Sequence, residues 1–293
     1  MIENYLQKHY SPDTAKAYKR EIEIYLSNYP AAEKANYKDL TNYIGLLRNR
    51  YSKASTISRI VSSLKVYYDY LCSEGIRNDN PTKAIKLRDK QSRDIQLQDL
   101  FTTEELEILL NRKERYTNLD YRNKVLSSLL IYQALHPREI ESLLIENINL
   151  DSGSIYIKPT YKTNSRTLQL KPNQILLFHT YINEIRPKLL GSKSPSFGGV
   201  GEASLLIGIR SGIMTGEDIT KHIKRSFKEL YPNRKVNAQT IRQSVITNLL
   251  KQGHDLSLVQ NFAGHKYPST TEKYKQSEIE TLKAAVNKYH PLQ

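Results

Sequence analysis

Apolar residues recur at helical spacing through residues 1–87. Positions three and four residues apart share one face of a helix, so the pattern predicts three amphipathic helices. Their apolar positions are Tyr18, Ile22, Tyr25 and Leu26; then Leu40, Tyr43, Ile44 and Leu47; then Ile57, Ile60, Val61, Leu64, Tyr67, Tyr68 and Leu71. Ser11 and Pro12 predict the start of the first helix, as a capping hydroxyl followed by proline at the first helical position. Gly75 and the pair Asn80 and Pro81 predict the end of this block.

The rest of the chain predicts a second domain after a linker. Residues 88–101 are polar, charged and non-periodic, which is typical of an interdomain linker. Residues 102–293 then predict a mainly helical domain, which opens with a capping box formed by Thr102 and Glu105. Residues 155–157 and 167–170 predict two short strands around a polar turn at residues 162–165. The expected fold class is therefore mainly α, with a small antiparallel β-sheet in the second domain.

The charge of the chain indicates a polyanionic partner. Lys and Arg total 44 against 30 Asp and Glu, a net charge of +14, and DNA or RNA is the commonest partner of such a protein. Basic side chains recur between the apolar positions of the three predicted helices, and a solvated helix face is the plain interpretation of such a run. Their recurrence in all three helices favours a phosphate-binding surface instead. The DNA-binding candidates are Lys16, Lys19, Arg20, Lys53, Arg59 and Lys65.

Other sequence features narrow the class of protein. No run of 18 or more apolar residues exists, and the first residues lack the apolar core of a secretory signal, so we expect no membrane span and a cytoplasmic location. The single cysteine, Cys72, excludes an intramolecular disulfide and a cysteine-rich zinc site.

The candidate chemistry lies in residues 240–274. Two apolar-faced helices are predicted there, the first beginning near Arg242 and the second followed directly by His265, and Tyr274 comes nine residues later in a polar stretch. Arginine can bind two phosphate oxygens and offset charge in a pentavalent transition state. Histidine can donate a hydrogen bond to that phosphate or transfer a proton, and tyrosine can be a covalent nucleophile. A phenol has a pKa near ~10, so a cationic neighbourhood is needed to activate it.

This segment resembles the C-terminal box of the tyrosine recombinases, the family of phage integrases and Xer-type proteins. In that box an arginine, a Gly-His pair and a tyrosine nine residues after the histidine occur among the same apolar positions. The resemblance covers nearly the whole chain. Residues 11–87 resemble the family's helical, SAM-like core-binding domain, residues 130–150 its first catalytic box, and residues 155–170 its sheet.

The resemblance implies an activity and a set of partners. It implies a C-shaped clamp on double-stranded DNA, and cleavage that leaves a 3′-phosphotyrosine link and a free 5′-hydroxyl. It implies no metal or nucleotide cofactor, and strand exchange within a homotetramer on paired sites. Residues 279–292 resemble a tail helix that family members dock into a neighbouring subunit; packing on its own domain is an equal alternative.

The resemblance also assigns site residues, with two departures from the family pattern. Lys162 is implied to be the general acid, with Lys158 as the alternative. The family's first arginine aligns without gaps with His136, and Arg138, two residues later, is the favoured replacement. A family histidine is replaced by Gln239, which can donate a hydrogen bond but cannot exchange a proton near neutral pH.

Three functions stay open at this point. The first, and favoured, is an active site-specific recombinase or integrase of a mobile element. The second is a DNA-binding accessory protein that kept the fold and lost catalysis, which the two departures motivate. The third is an enzyme like the type IB topoisomerases, which would relax supercoils without sequence preference.

Overall fold

A computed structural model describes residues 2–89, 95, 97–191, 203–208 and 212–275 of the chain. The chain divides into two units, Met1–Arg93 and Asp94–Gln293, called here the N-terminal and C-terminal units. The domain boundaries predicted from the sequence stay a prediction. The predicted tail helix at 279–292 lies outside the described residues.

The N-terminal unit is built from helices. The three predicted helices are present, and a short helix that the pattern analysis did not predict precedes them. Most of the predicted apolar positions are buried in one core, whereas Leu26 is 36% exposed because it lies at the edge of its apolar stripe. Gly75, with a φ of +70°, follows the last helix, as the sequence predicted. The helices are α1 Ile2–His9, α2 Pro12–Asn28, α3 Tyr37–Arg50 and α4 Ala54–Ser73.

The start of α2 is predicted correctly, but its capping contact is not. The helix begins at Pro12, yet Ser11 makes no side-chain hydrogen bond to a backbone N–H. The Ser11 hydroxyl instead lies 2.9 Å from the hydroxyl of Thr14. Both hydroxyls are exposed, so pairing with each other is as available to them as capping the helix.

The C-terminal unit is mainly helical, and its strands form one small sheet of order β1-β2-β3 with antiparallel neighbours. The predicted class, mainly α with a small antiparallel sheet, is confirmed. A π-helical turn, Tyr181–Ile185, joins α8 to α9. The helices are α5 Thr103–Leu110, α6 Thr117–Tyr132, α7 Pro137–Glu141, α8 Pro172–Thr180, α9 Arg186–Leu190, α10 Gly216–Phe227, α11 Ala238–Lys251 and α12 Leu256–Ala263. The strands are β1 Ile148–Asn149, β2 Ser154–Ile157 and β3 Arg166–Gln169.

Helix α6 lies at the centre of this unit and contacts α5, α8 and α11. Leu126, Leu129 and Leu130 are fully buried, and so are polar residues such as Ser128, so the helix is enclosed on several faces. The predicted hairpin is β2 and β3, with Ile155 opposite Leu168. Strand β1 has only two residues, too few for a periodic pattern to show.

The start of the C-terminal unit is held by side chains further along the chain. The predicted capping box is present: Thr102 N donates to Glu105 at 2.9 Å and Glu105 N donates to Thr102 at 3.3 Å. Phe101 is buried in the core, and its N–H donates to the Ser244 hydroxyl at 2.8 Å. Arg234 pairs with Glu105 at 2.6 Å. The last residue of the predicted linker, Phe101, therefore packs as part of this unit.

Among the residues that the structure describes, none of the helices is both long and apolar enough to cross a bilayer.

Candidate active site

Arg242 lies in the second turn of α11 and is almost wholly buried. Asn237 caps this helix, accepting a hydrogen bond from Thr240 N at 2.9 Å. The Arg242 guanidinium donates to two main-chain carbonyls, those of Ala134, after α6, and of Ala263, the last residue of α12. Burial lowers the pKa of Arg242, and the nearby Glu139 carboxylate opposes that shift. The guanidinium is therefore fixed between the ends of two helices by bonds that do not neutralise it.

Ala134 accepts one of those bonds from a conformation that is unfavourable for alanine. Its φ is +49°, and it is the one non-glycine residue with positive φ in the described part of the chain. A side chain in this region costs about 1–2 kcal/mol, since Cβ approaches the following carbonyl. The conformation turns the chain after α6 so that the Ala134 carbonyl meets Arg242.

We expect Ala134→Gly to raise the free energy of unfolding by about 1 kcal/mol, because glycine has no Cβ to clash at this φ. Urea unfolding of both proteins would measure the difference. Ala238→Gly, at a buried helical position in α11, is the matched control and should lower the free energy of unfolding by about 0.5–1 kcal/mol. A lower stability for Ala134→Gly than for wild type would contradict the argument.

His265 follows α12 directly, after Gly264 in a left-handed conformation with a φ of +72°. A Cβ on Gly264 would also overlap the guanidinium of Arg166, so both the backbone conformation and this close approach require glycine there. The His265 ring is 7% exposed, and its Nδ1 lies 2.9 Å from the hydroxyl of buried Thr271. Burial, with the charge of Arg242 second, lowers the pKa of His265 to about 4. The ring is neutral at pH 7 and its orientation is set by Thr271.

The lowered pKa of His265 predicts a loss of stability in mild acid. Histidine in the unfolded chain has a pKa near ~6.5, so His265 binds a proton below that pH when the chain is unfolded. In the folded protein it does so only near pH 4. The contribution to stability is complete above pH 6.5 and falls with pH, by at most ~1.4 kcal/mol per pH unit. Between pH 6.5 and 5, the free energy of unfolding of His265→Gln should fall by about 1–2 kcal/mol less than that of wild type. Parallel slopes in urea unfolding at these pH values would contradict this.

Tyr274 lies in a helical segment, residues 268–275, and is 5% exposed. The sequence placed it in a polar stretch without a helix, because most neighbouring side chains are polar. Its ring packs with Ile246, Val259 and Ala263, and lies 6.0 Å from the His265 ring, the planes 14° apart. Burial raises the pKa of Tyr274 above its ordinary value, and the charge of Arg242 offsets that rise only in part. The two candidate groups that follow α12 are thus stacked within the field of the buried arginine.

Lys162 is brought to this site by the tip of the β2–β3 hairpin. Thr163 forms a backbone bridge with His265, and Asn164 N donates to the Gly264 carbonyl at 2.8 Å. Lys162 is exposed, next to that bridge. The alternative, Lys158, lies 3.4 Å from an exposed carboxylate, that of Glu146. The hairpin therefore holds the neighbour of Lys162 against the histidine.

Family models match both units of the chain. The model of the phage integrase family matches residues 99–280, and the model described as the phage integrase N-terminal SAM-like domain matches residues 3–75. The chain belongs to the phage integrase family of tyrosine recombinases. The predicted family is confirmed.

Individual relatives agree with this assignment. The tyrosine recombinase XerD of Oceanobacillus iheyensis is 27% identical over 98% of this chain and 95% of its own. XerD of Staphylococcus haemolyticus is 26% identical over 99% and 98%. Among solved structures, XerH recombinase bound to a palindromic difH substrate has a TM-score of 0.68 at 21% identity, over 91% of this chain and 76% of its own. The Tn1549 transposon integrase, in complex with a circular intermediate DNA, has a TM-score of 0.65 at 14% identity, over 96% and 99%.

Two residues compete for the place of the family's first arginine in this recombinase. His136 is half-buried at the N-cap of α7, and its Nδ1 accepts a hydrogen bond from Arg138 N at 3.3 Å. Burial and then the charge of Arg242 lower the pKa of His136, with Lys162 contributing, so the ring is neutral and faces these cations. Arg138 is exposed, and its side chain passes Gly216 at the start of α10. The assignment of Arg138 stays a prediction, and this geometry favours His136 more than the sequence did.

Gln239 and two residues that the sequence pattern did not single out, Glu139 and Arg166, also lie around the site. Gln239 is exposed in the first turn of α11, three residues before Arg242. Glu139 and Arg166 form a buried ion pair that joins α7 to β3, with two contacts of 2.8 and 3.1 Å. Glu139 also lies 3.7 Å from Arg242. The spacing of Glu139 from His136, typical of a capping box, was the available signal, and Arg166 had none.

The six basic candidates of the N-terminal unit differ in their surroundings. Lys16, Arg20 and Lys53 are exposed. The others contact acceptors: Lys19 pairs with Glu3 at 2.9 Å, Arg59 with buried Glu21 at 2.8 Å, and Lys65 donates to the Ile85 carbonyl at 3.1 Å.

Proposed function

We propose that this protein is an active site-specific recombinase that cleaves and rejoins double-stranded DNA through Tyr274. The observation that carries the proposal is the stacking of Tyr274 on His265, within the field of buried Arg242. A protein that only binds DNA gains the packing of the Tyr274 ring but has no use for a nucleophilic hydroxyl in that place.

The chemistry proposed is one transesterification and its reversal. The Tyr274 phenol gives its proton to solvent as its oxygen attacks the scissile phosphorus, the bond from phosphorus to the 5′-oxygen breaks, and a 3′-phosphotyrosine link forms. The charge of Arg242 opposes the rise in the phenol's pKa that burial causes, and it offsets charge on the phosphate as the bond forms. Lys162 donates a proton to the leaving oxygen, which becomes a free hydroxyl.

The other donors of the site act on the same phosphate. His265 contacts Thr271 through Nδ1, so a proton on Nε2 can be donated to a phosphate oxygen. Gln239, and Arg138 or His136, supply further donors. No metal or nucleotide cofactor takes part in this proposal.

DNA binding is proposed for the basic side chains of the N-terminal unit, Lys16, Lys19, Arg20, Lys53, Arg59 and Lys65. The solved relatives XerH and the Tn1549 integrase are described in complex with DNA. We further propose domains at residues 1–87 and 102–293 with a linker at 88–101, a tetramer on paired sites, and a cytoplasmic location.

If the exposed cations contact phosphates, DNA binding should depend less on salt concentration once these side chains are removed. Lys16, Arg20 and Lys53, all changed to alanine, should lower the slope of log K against log salt by up to about 2.7, at ~0.9 per phosphate contact. Fluorescence anisotropy on the same DNA at several salt concentrations measures it. Lys34→Ala and Lys38→Ala, outside the predicted surface, are the controls. An unchanged slope in the triple variant would remove these residues from the interface.

The proposed function is tested with a suicide substrate. DNA duplexes from the ends of the element that carries the gene, nicked near the cleavage site, should trap a covalent protein–DNA complex, because the short released strand cannot return to attack. The 5′-hydroxyl left by cleavage should accept a phosphate from a polynucleotide kinase without prior phosphatase treatment. If the wild-type protein forms no adduct on any duplex from those ends, the proposal is wrong.

The same experiment separates the other two functions. An accessory protein would bind and bend these duplexes without an adduct. An enzyme like the type IB topoisomerases would form adducts without sequence preference and would relax supercoiled plasmid of unrelated sequence.

A further inference from the structure

Arg166 lies next to the site, and no step of the proposed chemistry assigns it a role. It begins β3, its side chain is 7% exposed, and both terminal nitrogens contact the Glu139 carboxylate. Its Nη1 also lies 3.4 Å from the Asn164 carbonyl, and its guanidinium rests against Gly264, directly before His265. Arg166 therefore touches both the hairpin tip next to Lys162 and the turn that carries the histidine.

Glu139 needs a counter-charge in this place. Its side chain is 1% exposed, and burial alone would raise the pKa of its carboxyl. Arg166 and then Arg242 outweigh that effect and lower the pKa below its ordinary value, so the carboxylate is charged. Arg166 meets that charge with two hydrogen bonds, whereas Arg242 stands 3.7 Å away and donates to carbonyls. If a neutral residue replaced Arg166, Arg242 would be the remaining buried cation at Glu139, and the charge of Glu139 would then offset that of Arg242.

The first departure from the family pattern makes the charge of Arg242 more important. His136 aligns with an arginine of the family, but its lowered pKa leaves it neutral. Of the two buried cations described around Glu139, Arg166 is hydrogen-bonded to the carboxylate, whereas Arg242 stands 3.7 Å from it and donates to carbonyls.

We propose that Arg166 is a positioning residue for DNA cleavage: it neutralises Glu139, and so keeps the charge of Arg242 available to the scissile phosphate. The inference rests on the proposed function. Arg166 acts through Arg242 and does not itself touch the DNA.

The test compares two substrates that differ in charge at one phosphate. One suicide duplex carries the normal scissile phosphate, and the other carries a neutral methylphosphonate there. Single-turnover adduct formation at saturating DNA is measured for wild type and Arg166→Gln. We expect Arg166→Gln to be slower by on the order of 100-fold on the phosphate and by less than about 5-fold on the methylphosphonate. A merely structural role would slow both substrates equally, and that result would overturn the proposal.

A second variant serves if Arg166→Gln does not fold. Removing one partner of a buried ion pair is costly, whereas replacing both leaves no buried charge unpaired. The double variant Glu139→Gln with Arg166→Gln should fold, as judged by thermal unfolding, and should cleave the phosphate substrate within about 5-fold of Glu139→Gln alone. A loss of about 100-fold in the double variant would overturn the proposal. Absence of any adduct with wild type would instead refute the proposed function, so the two failures are distinguishable.

Discussion

Tyr274→Phe is expected to abolish the covalent protein–DNA adduct while leaving the fold and DNA binding intact. Phenylalanine keeps the ring that packs with Ile246, Val259 and Ala263 and stacks on His265, and removes only the nucleophilic oxygen. Adduct on the suicide substrate should fall below detection, a loss of at least ~10⁴-fold if the two-step covalent route is the sole route. Denaturing gel electrophoresis measures the adduct, and anisotropy measures binding.

Tyr267→Phe is the matched control for this experiment. Tyr267 precedes the same helical segment and is 70% exposed, so losing its hydroxyl should leave adduct formation within about 2-fold of wild type. A Tyr274→Phe protein that still forms the adduct would show that another residue is the nucleophile. Loss of adduct in both variants would mean that the effect is not specific to Tyr274.

Arg242→Lys is expected to slow adduct formation by about 10²–10³-fold at saturating DNA. Lysine keeps the positive charge, but its single ammonium cannot hold the Ala134 and Ala263 carbonyls and also present two donors to a phosphate. The loss should therefore appear in the rate of cleavage far more than in the dissociation constant for DNA. Single-turnover kinetics separates the two quantities.

The control for Arg242→Lys is Arg225→Lys, at an exposed position of α10. It should cleave DNA within about 2-fold of wild type, because exposed surface substitutions rarely perturb the fold. If Arg242→Lys cleaves as fast as this control, the role proposed for the Arg242 guanidinium is wrong. Thermal unfolding of both variants shows whether lost carbonyl contacts, rather than lost phosphate contacts, explain a slow rate.

The buried faces of the helices could be predicted because their periodicity is local. The positions predicted for α3 and α4 are all buried, and the Thr102–Glu105 capping box is present as expected. The hairpin was also predictable, because alternating strands around a polar turn leave a short-range signal. The contact of the Ser11 hydroxyl was not, since the same side chain can cap a helix or pair with Thr14 at similar cost.

The residues of the site were found by spacing and resemblance, and their chemical states by the tertiary structure. A motif can place Arg242, His265 and Tyr274 in one box, but burial and neighbouring charge set their pKa values. His265 has a pKa of about 4 because its ring is enclosed beside Arg242. That environment includes Arg166, which comes from a strand far away in the sequence.

The sequence by itself determined the helical class, the hairpin, the basic charge and the tyrosine recombinase box. Composition sets the charge, and the other three depend on residues near one another in the chain. The tertiary structure decided what surrounds Tyr274. It enclosed the tyrosine in an apolar cluster against His265, and fixed Arg242 on the carbonyls of Ala134 and Ala263. It also placed Glu139 in an ion pair with Arg166. Burial and charge pairing join residues that are distant in the chain, 27 positions apart for Glu139 and Arg166 and 108 for Ala134 and Arg242, and no local pattern records them.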